Sequence, residues 1–367
     1  MPLVFSSVAN RVNRGVEMEA YIAVSKNLTD FHNGIPFQHE IGKTHIHNGE
    51  VVIDKSGFIA YRNPLDLLRH YHKYGGVRYF KVECGGTITH QNERNGILAC
   101  SEITLKSEIN LCELIASGVW SIYTETDAAS DWEPYELKCQ NTEPIRENGI
   151  ATTLMHGYFG IAENGSAATL ACENFSTAAT SGAKSTALAT GSNSTAATSG
   201  QYSMAATTHN QGTAATSGSN SKAAARGYES MAAASGTHCA AAADGYESAA
   251  AASGAFSIAA TCESESIAAT SGIQSVAVAS GSKSTATASG HSCNAIADGE
   301  DCIAVANGGN ARAKGKKGCY LAITEYDNTG RLLNFITHII DGETIKEDVY
   351  YMVKDGRFVE ACIDAKK

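Results

Sequence analysis

The chain has 367 residues, of which 43% are hydrophobic and 18% are charged, and its formal net charge is −10 at pH 7. This charge argues against a general nucleic-acid binder, which needs a basic face. No stretch approaches 18 uninterrupted apolar residues, and the N-terminus lacks the pattern of a signal peptide, so the sequence predicts neither a membrane-spanning helix nor secretion. The eleven cysteines include no C-x-x-C pair, which favours a reducing cytoplasm.

The N-terminal part of the chain has ordinary globular composition. Residues 1–16 are predicted to be a flexible leader, and residues 17–150 an α+β domain with strands around a short helix. Asn63 is a suitable N-cap for this helix, and Pro64 suits its first position. A second helix is predicted from Ser107 to Ala116.

A nine-residue repeat dominates the rest of the chain. Sixteen consecutive units run from Glu173 to Lys316, and the sixth position of every unit is alanine. The usual unit reads G-x-x-S-x-A-x-A-S, as in Gly281–Ser289. Small residues at positions four, six and eight indicate a strand whose inward face meets another strand closely. An alanine-rich helix is disfavoured because a glycine every nine residues would cost about 1 kcal/mol each time. We expect the glycine at position one to supply a positive φ at the corner.

The repeat predicts a β-solenoid over residues 151–317. Two units provide two opposed strands and make an 18-residue coil, although a triangular coil of three units is also compatible with the period. Residues 318–367 are predicted to form a β-meander that caps the open end, with turns at Asp327–Gly330, Asp341–Gly342 and Asp355–Gly356. The expected fold is therefore mainly β: an α+β N-terminal domain, a narrow solenoid and a small β cap.

Several segments resemble known families. The stretches SKNLT, Phe37–Thr44 and Gly57–Asp66, with the C-terminal residues after Gly318, resemble an uncharacterised domain and its companion segment found in bacteriophage and prophage proteins. The repeats resemble the β-roll of trimeric autotransporter adhesin heads. Their length is similar to that of calcium-binding β-rolls, but the corners lack the aspartate that those repeats carry. The resemblance implies an architecture and a viral or mobile-element context, but no known activity.

One enzymatic alternative rests on the N-terminal domain. Its order of strand, G-F-I-A-Y strand and helix is weakly similar to the first half of ADP-ribosyltransferase folds. That similarity implies Tyr61 beside a nicotinamide ring and either Glu102 or Glu108 as the catalytic carboxylate. No E-x-E or Q-x-E pair stands at the expected place, so an enzyme is not favoured. No cofactor is predicted, and no metal either, because the strand residues His45 and His47 lack an identifiable third ligand.

Acidic residues recur at the third position of odd-numbered units. In an 18-residue coil these residues would stack in one column, about 5 Å apart. Such a column is either a solubilising edge or a surface that binds a basic partner or imitates a nucleic-acid strand. The residues are Glu229, Glu247, Glu265 and, after an intervening lysine, Asp301.

Positions five and seven should also point outward, yet they carry large apolar residues in several units. Repeated apolar rows on a flat sheet predict self-association as a dimer or trimer. The residues assigned to this interface are Met204, Met231, Ile258, Ile267, Val276 and Ile303. The early threonines at position five resemble the rows of ice-binding solenoids, but they give way to other residues after Thr213.

The sequence thus favours a non-enzymatic phage or prophage protein in the cytoplasm of a bacterial host. We expect a rigid oligomeric solenoid that binds or sequesters a host macromolecule, such as a protein of the host defence machinery. The alternatives are an ADP-ribosyltransferase-like enzyme and a structural or adhesion component of the virion. Contact with a membrane and direct binding of nucleic acid are not expected.

Overall fold

The computed structural model of the chain separates into two compact units, with the division near residue 110. Each unit has its own core. The structure describes residues 12–14, 17–32, 35–53, 55–71, 77–90, 96–110, 113–115, 117–118, 121, 150–153, 159–162, 168–171 and 174–361.

The described residues of the first unit form eight strands and one helix. Six strands form an antiparallel sheet in the order β1-β7-β2-β6-β8-β5, while β3 and β4 form a separate hairpin. The elements are β1 (Val12–Arg14), β2 (Met18–Val24), β3 (Thr29–His32), β4 (Ile35–Gln38), β5 (Thr44–Ile46), β6 (Phe58–Tyr61), α1 (Pro64–Tyr71), β7 (Arg78–His90) and β8 (Ile97–Ile109).

An additional pairing between β7 and β8 makes β7, β2, β6 and β8 a closed ring of strands around an apolar core. Closure removes sheet edges that would otherwise expose unpaired backbone groups. The predicted start of α1 is confirmed: the Leu65 amide donates a 2.9 Å hydrogen bond to Asn63 Oδ1. Val12–Arg14 of the predicted leader form β1 and pair with β7. The other residues of that leader lie outside the described residues.

The predicted second helix begins too early. Ser107 and Ile109 belong to β8, where they pair with Lys81 and Tyr79 of β7. Pairing with the long strand β7 outweighs a weak local helix preference at this point. Helical residues follow only at 113–115, 117–118 and 121 within the described part of this region.

The second unit contains the solenoid strands, which recur every nine residues. They are β9 (Ile150–Thr153), β10 (Phe159–Ala162), β11 (Ala168–Ala171), β12 (Thr177–Thr180), β13 (Thr186–Ala189), β14 (Thr195–Thr198), β15 (Met204–Thr207), β16 (Thr213–Thr216), β17 (Lys222–Arg226), β18 (Met231–Ser235), β19 (Ala240–Asp244), β20 (Ala249–Ser253), β21 (Ile258–Thr261), β22 (Ile267–Ser271), β23 (Val276–Ala279), β24 (Thr285–Ser289), β25 (Asn294–Ala297), β26 (Ile303–Asn307) and β27 (Arg312–Gly315).

Each strand pairs in parallel with the strand 18 residues away, as Ala250 pairs with Ala268 and Ala241 pairs with Ala259. The predicted 18-residue coil of two units is therefore confirmed, and the three-unit coil is wrong. Counting units from Glu173, odd units form one sheet and even units form the other, and we call these the odd sheet and the even sheet. The coils also begin earlier than the alanine column, because β9, β10 and β11 already pair in the same register.

Alanine fills the space between the two sheets. The sixth-position alanines are fully or almost fully buried from Ala178 to Ala313, and they form one continuous core. With only a methyl group from each sheet, the two backbones approach closely and leave little free volume.

The C-terminal cap closes this core with larger side chains. Its strands are β28 (Tyr320–Tyr326), β29 (Leu332–Ile339), β30 (Tyr351–Lys354) and β31 (Arg357–Glu360). Leu321, Ile323, Ile340 and Tyr351 join the alanine cluster at its end. The predicted cap is confirmed, but its strands do not form one meander.

Strands β28 and β29 extend the odd sheet, whereas β30 and β31 extend the even sheet. The segment at Asp341–Gly342 therefore crosses between sheets and is not a hairpin turn. Asp341 Oδ1 accepts hydrogen bonds of 2.8–3.0 Å from the amides of Glu343, Thr344 and Ile345. These bonds lower the pKa of Asp341 to about 2 and fold the crossing locally, which the Asp-Gly pair alone did not reveal.

The corner glycines have the predicted positive φ in only some units, and they have a second role that was not predicted. Left-handed φ values between 53° and 64° occur at all sixteen third positions, and none of these residues is glycine. At position one, five glycines have φ values between 118° and 150°, whereas Gly200 and Gly218 have no positive φ. A Cβ added to Gly218 would instead lie 2.0 Å from the carbonyl oxygen of Gly200 in the preceding coil. Glycine is needed here because successive backbones touch.

A column of buried hydroxyl groups joins the coils at position four. Ser248 Oγ accepts a hydrogen bond from the Ser230 amide (3.2 Å) and donates one to the Gly227 carbonyl (3.1 Å). The same pair of bonds recurs along both corners, and at Cys239 the thiol donates to the Gly218 carbonyl. The column satisfies backbone groups that the turn leaves without ladder partners.

We expect Ser248→Ala to lower the free energy of unfolding by about 1–3 kcal/mol, because it leaves a buried amide and a buried carbonyl without partners. Ser248→Cys should cost less, since cysteine already occupies this position in other units. Thermal unfolding followed by circular dichroism measures both. Ser253→Ala is the control, as Ser253 is exposed on the sheet surface. An equal loss for Ser248→Ala and Ser253→Ala would contradict the role of the column.

No helix among the described residues is both long and apolar enough to cross a membrane.

Candidate interaction surfaces

The outward sides of the two solenoid sheets differ in exposure. In the even sheet, positions five to eight are buried throughout several strands, including β19, β21, β23 and β25. In the odd sheet, burial alternates along each strand, and the outward residues are half-buried or exposed. The outward side of the even sheet is therefore covered within the single chain, whereas that of the odd sheet, the odd face, is open.

This difference divides the six residues assigned to the oligomer interface. Met231, Ile267 and Ile303 lie on the odd face, with 52%, 53% and 42% of their surface exposed. Ile258 and Val276 lie on the even sheet with only 1% exposed, and Met204 of the same row is half-buried. The expectation that both sheets expose positions five and seven is thus wrong for the even sheet.

The odd face carries no charge along the solenoid. Positions five, seven and nine of all eight odd units contain no Asp, Glu, Lys, Arg or His, in a chain with 18% charged residues. Position nine is serine from Ser181 to Ser289 and asparagine at Asn307. A groove of about 730 Å³ runs along positions seven to nine of these units, from Ala179 to Ser289. Solvent-facing surfaces usually contain interspersed charges, so an uncharged face of this length is typical of an interface.

The apolar row at position five continues into the cap. Ile303 pairs with Tyr320 of β28, and Tyr320 pairs with Ile339 of β29. Tyr320 and Ile339 have exposed fractions of 51% and 39%. The odd face is therefore one surface that spans the solenoid and its cap.

A column of acidic residues lies at one corner beside the odd sheet. The structure brings Glu229, Glu247 and Glu265 to successive coils, all exposed, and we call these three residues the acidic ridge. The Glu229 amide donates to the Tyr246 carbonyl, so the corners are held in register by backbone hydrogen bonds. Asp301 lies two coils beyond Glu265, with Lys283 between them in the column.

Each ridge carboxylate accepts a hydrogen bond from the preceding coil. Gln211 donates to Glu229 at 2.7 Å, and the Tyr228 hydroxyl donates to Glu247 at 2.9 Å. Tyr246 bonds Glu265 in the same way, which raises the pKa of Tyr246. The corresponding bond raises the pKa of Tyr228 to about 12.

The donors Tyr228 and Tyr246 also stack on each other, with ring centroids 5.7 Å apart. Sequence reasoning found the carboxylates but not these donors. The sequence signal for such a donor is an aromatic residue at position two of an odd unit. It stands 19 residues before the carboxylate of the next odd unit. The ridge is therefore an ordered acidic surface in which each carboxylate has a fixed neighbour.

The structure does not bring the enzymatic candidates together. Buried Tyr61 pairs with Ile97 at the start of β8. Along that strand Glu102 lies five residues and Glu108 eleven residues further, about 16 Å and 36 Å at 3.3 Å per residue. Glu108 is held by Arg78 through hydrogen bonds of 2.8 and 2.6 Å, which lower its pKa.

The histidine pair on β5 makes local contacts. His45 Nε2 accepts a hydrogen bond from the Glu40 amide, and His47 contacts the Glu50 carbonyl. Burial, followed by the positive charges of His39 and Lys43, lowers the pKa of His45. Within the residues that the structure describes, no three or more His, Cys, Asp or Glu side chains are grouped as metal ligands would be.

Comparison with known proteins gives one match. A family described as a domain of unknown function (DUF7666) matches residues 18–117, which contain the closed ring of strands and α1. No curated protein and no solved structure matches the chain. The match assigns no chemistry to these residues and does not extend to the solenoid.

Proposed function

We propose that this chain is a non-enzymatic interaction protein of phage or prophage origin, a rigid self-associating solenoid that sequesters a host macromolecule. The acidic ridge carries the proposal. Three carboxylates at coil spacing repel one another, and a basic partner surface would relieve that repulsion. The solenoid holds them on stacked corners, so the binding surface needs little ordering when a partner arrives.

The class of partner follows from the charge. A net charge of −10 and an exposed acidic column favour a protein with a basic surface and disfavour a nucleic acid. Proteins of the host defence machinery that themselves bind nucleic acid have such surfaces. The proposed location is the cytoplasm of the bacterial host or, in the virion alternative, the particle. The phage or prophage origin rests on the resemblance of the two terminal segments, since the matched domain of unknown function names none.

An ADP-ribosyltransferase-like activity has less support. Tyr61 of β6 pairs with the start of β8, whereas Glu102 and Glu108 lie further along β8, and Glu108 is engaged by Arg78. The N-terminal unit is therefore proposed to be a presented or scaffolding domain.

Removal of the ridge charges tests the proposal. We expect the triple variant Glu229→Gln, Glu247→Gln, Glu265→Gln to fold normally and to capture basic host proteins at least tenfold less well, mainly through a slower on-rate. Capture by the wild type should weaken as salt rises, because exposed charges are screened over about 10 Å at 0.1 M. Surface plasmon resonance against the captured protein measures both effects.

The control removes three exposed carboxylates outside the acidic column, with Glu50→Gln, Glu343→Gln and Glu347→Gln. It keeps the same net charge as the ridge variant and should retain full capture. Unchanged capture by the ridge variant would assign binding to another surface. An equal loss of capture in both variants would show that only the net charge of the chain matters, and not the position of the carboxylates.

A further inference from the structure

We infer that the odd face is the contact surface of an antiparallel homodimer, in which the two copies are related by a twofold axis between β20 and β22. The inference rests on the self-association in the proposed function and assigns its surface, partner and geometry. Three observations carry it: the absence of charge, the order of large and small residues along position five, and the size of the face.

The absence of charge favours a second copy over other partners. Two chains that each carry a net charge of −10 repel each other, and they associate best through a surface without charged groups. The odd face is such a surface, and its apolar side chains are open to solvent. A basic partner gains nothing from it, because no carboxylate there attracts a cation. The exposed serine row at position nine supplies a polar rim.

The order of residues along position five is self-complementary. In register from β12 to β29 the row reads Thr177, Thr195, Thr213, Met231, Ala249, Ile267, Thr285, Ile303, Tyr320 and Ile339. An axis parallel to the strands, between β20 and β22, reverses this row against itself. Every large residue then meets a small one of the partner.

Five pairs of residues meet across the interface, and the twofold axis generates each pair twice. They are Ala249 with Ile267, Met231 with Thr285, Thr213 with Ile303, Thr195 with Tyr320, and Thr177 with Ile339. Shifting the axis by one strand toward the cap would place Met231 against Tyr320, two large side chains in one gap. The chosen axis also overlaps all ten strands. Position seven permits the approach, because it is alanine from Ala179 to Ala269 and threonine at Thr287, while Val305 meets Ala215 of the partner.

The size of the face suits a stable dimer. Ten strands at about 4.8 Å and a width of five residues give on the order of 700 Å² for each copy. Specific interfaces bury about 800 Å² for each partner. The side chains at its centre, Met231, Ile267 and Ile303, are the apolar anchors that such interfaces need.

Light scattering coupled to size exclusion tests the surface. The wild type should have twice the chain mass of 38.5 kDa. Ile267→Glu should raise the dimer dissociation constant at least about a hundredfold, because each of the two symmetric contacts gains an unpaired carboxylate. Ile267 is exposed in the single chain, so the melting temperature of the monomer should not fall. Ile273→Glu is the matched control, since Ile273 is 55% exposed at a corner outside the odd face.

A pair of double variants tests the antiparallel register. Thr213→Lys with Ile303→Glu should dimerise, because the lysine of each copy then meets the glutamate of the other copy. Within one copy the two substituted residues are five strands apart and do not meet. Thr213→Lys with Ile267→Glu should remain monomeric. The opposite ranking, or equal masses for the two, would overturn the twofold arrangement.

A wild type that stays monomeric at all concentrations would overturn the dimer. If the wild type then shows thermal hysteresis in the presence of ice, and Ile267→Glu does not, the odd face would be an ice-binding surface. Equal disruption by Ile273→Glu and Ile267→Glu would overturn the choice of surface. The acidic ridge lies off this face, so the two proposals can be separated. Ile267→Glu should be monomeric and should still capture the basic partner. The triple ridge variant should lose capture and keep the mass of the dimer.

Discussion

Gly218→Ala is expected to destabilise the solenoid at or above the upper end of the range of about 1–3 kcal/mol for overpacked sites. The added Cβ would lie 2.0 Å from the Gly200 carbonyl oxygen and 2.7 Å from the Gln201 amide nitrogen. Both contacts are backbone atoms, which cannot rotate away. The coils would have to separate at this corner and lose the neighbouring hydrogen bond from the Ser217 amide to the Thr198 carbonyl. Chemical denaturation followed by circular dichroism measures the loss.

Gly309→Ala is the matched control for this variant. It lies at position two of the equivalent corner, five coils further along the solenoid. An added Cβ there meets only the His291 side chain, at 3.2 Å. That side chain lies on the surface and can move by a few tenths of an ångström. We therefore expect less than about 1 kcal/mol of destabilisation. Equal losses for the two variants would contradict close backbone approach as the reason for glycine at position one.

The coil could be predicted from the nine-residue period because each period corresponds to one strand and one corner. A strand whose inward positions are all small fits only a very narrow interior, and an 18-residue coil provides it. The first strands of the solenoid carry a weaker signal in the sequence. Gly160 and Thr169 occupy the place of the sixth-position alanine in β10 and β11, so these strands pair in register without the sequence signal.

The exposure of the two sheets could not be predicted from the repeat. Ile258 and Ile267 occupy the same position in neighbouring units, yet one is 1% and the other 53% exposed. A local pattern predicts which side of a strand faces the core, but it does not predict the exposure of the outer side, which depends on tertiary context. Charged residues are absent from positions five, seven and nine of the odd units but occur there in the even units, as at Lys222 and Arg312. This difference was the available signal, and pooling odd and even units concealed it.

The acidic ridge was predicted as a column of carboxylates, since stacking every 18 residues follows from the coil. Its hydrogen-bond donors were not predicted. Tyr228 reaches Glu247 in the next coil, and Glu247 has the left-handed φ of the third position. Nothing in the repeat identifies a left-handed residue when glycine is absent from that position.

Ala232→Leu is expected to lower the free energy of unfolding by at least about 3 kcal/mol, the upper end of the cost of overpacking. Ala232 is 1% exposed and lies in the narrow interior between the two sheets, where neighbouring alanines leave no space for three further carbon atoms. The solenoid must widen to accept them, and widening separates the corner hydrogen bonds of adjacent coils.

Ala233→Leu is the matched control, one residue along the same strand. Ala233 lies on the odd face and is exposed, so leucine there projects into solvent in the single chain. We expect less than about 0.5 kcal/mol of change at a surface site. The control is measured in the Ile267→Glu background, where contacts with a second copy are absent. Equal melting temperatures for Ala232→Leu and Ala233→Leu in that background would show that the interior is wide enough for leucine, and the alanine column would then need another explanation.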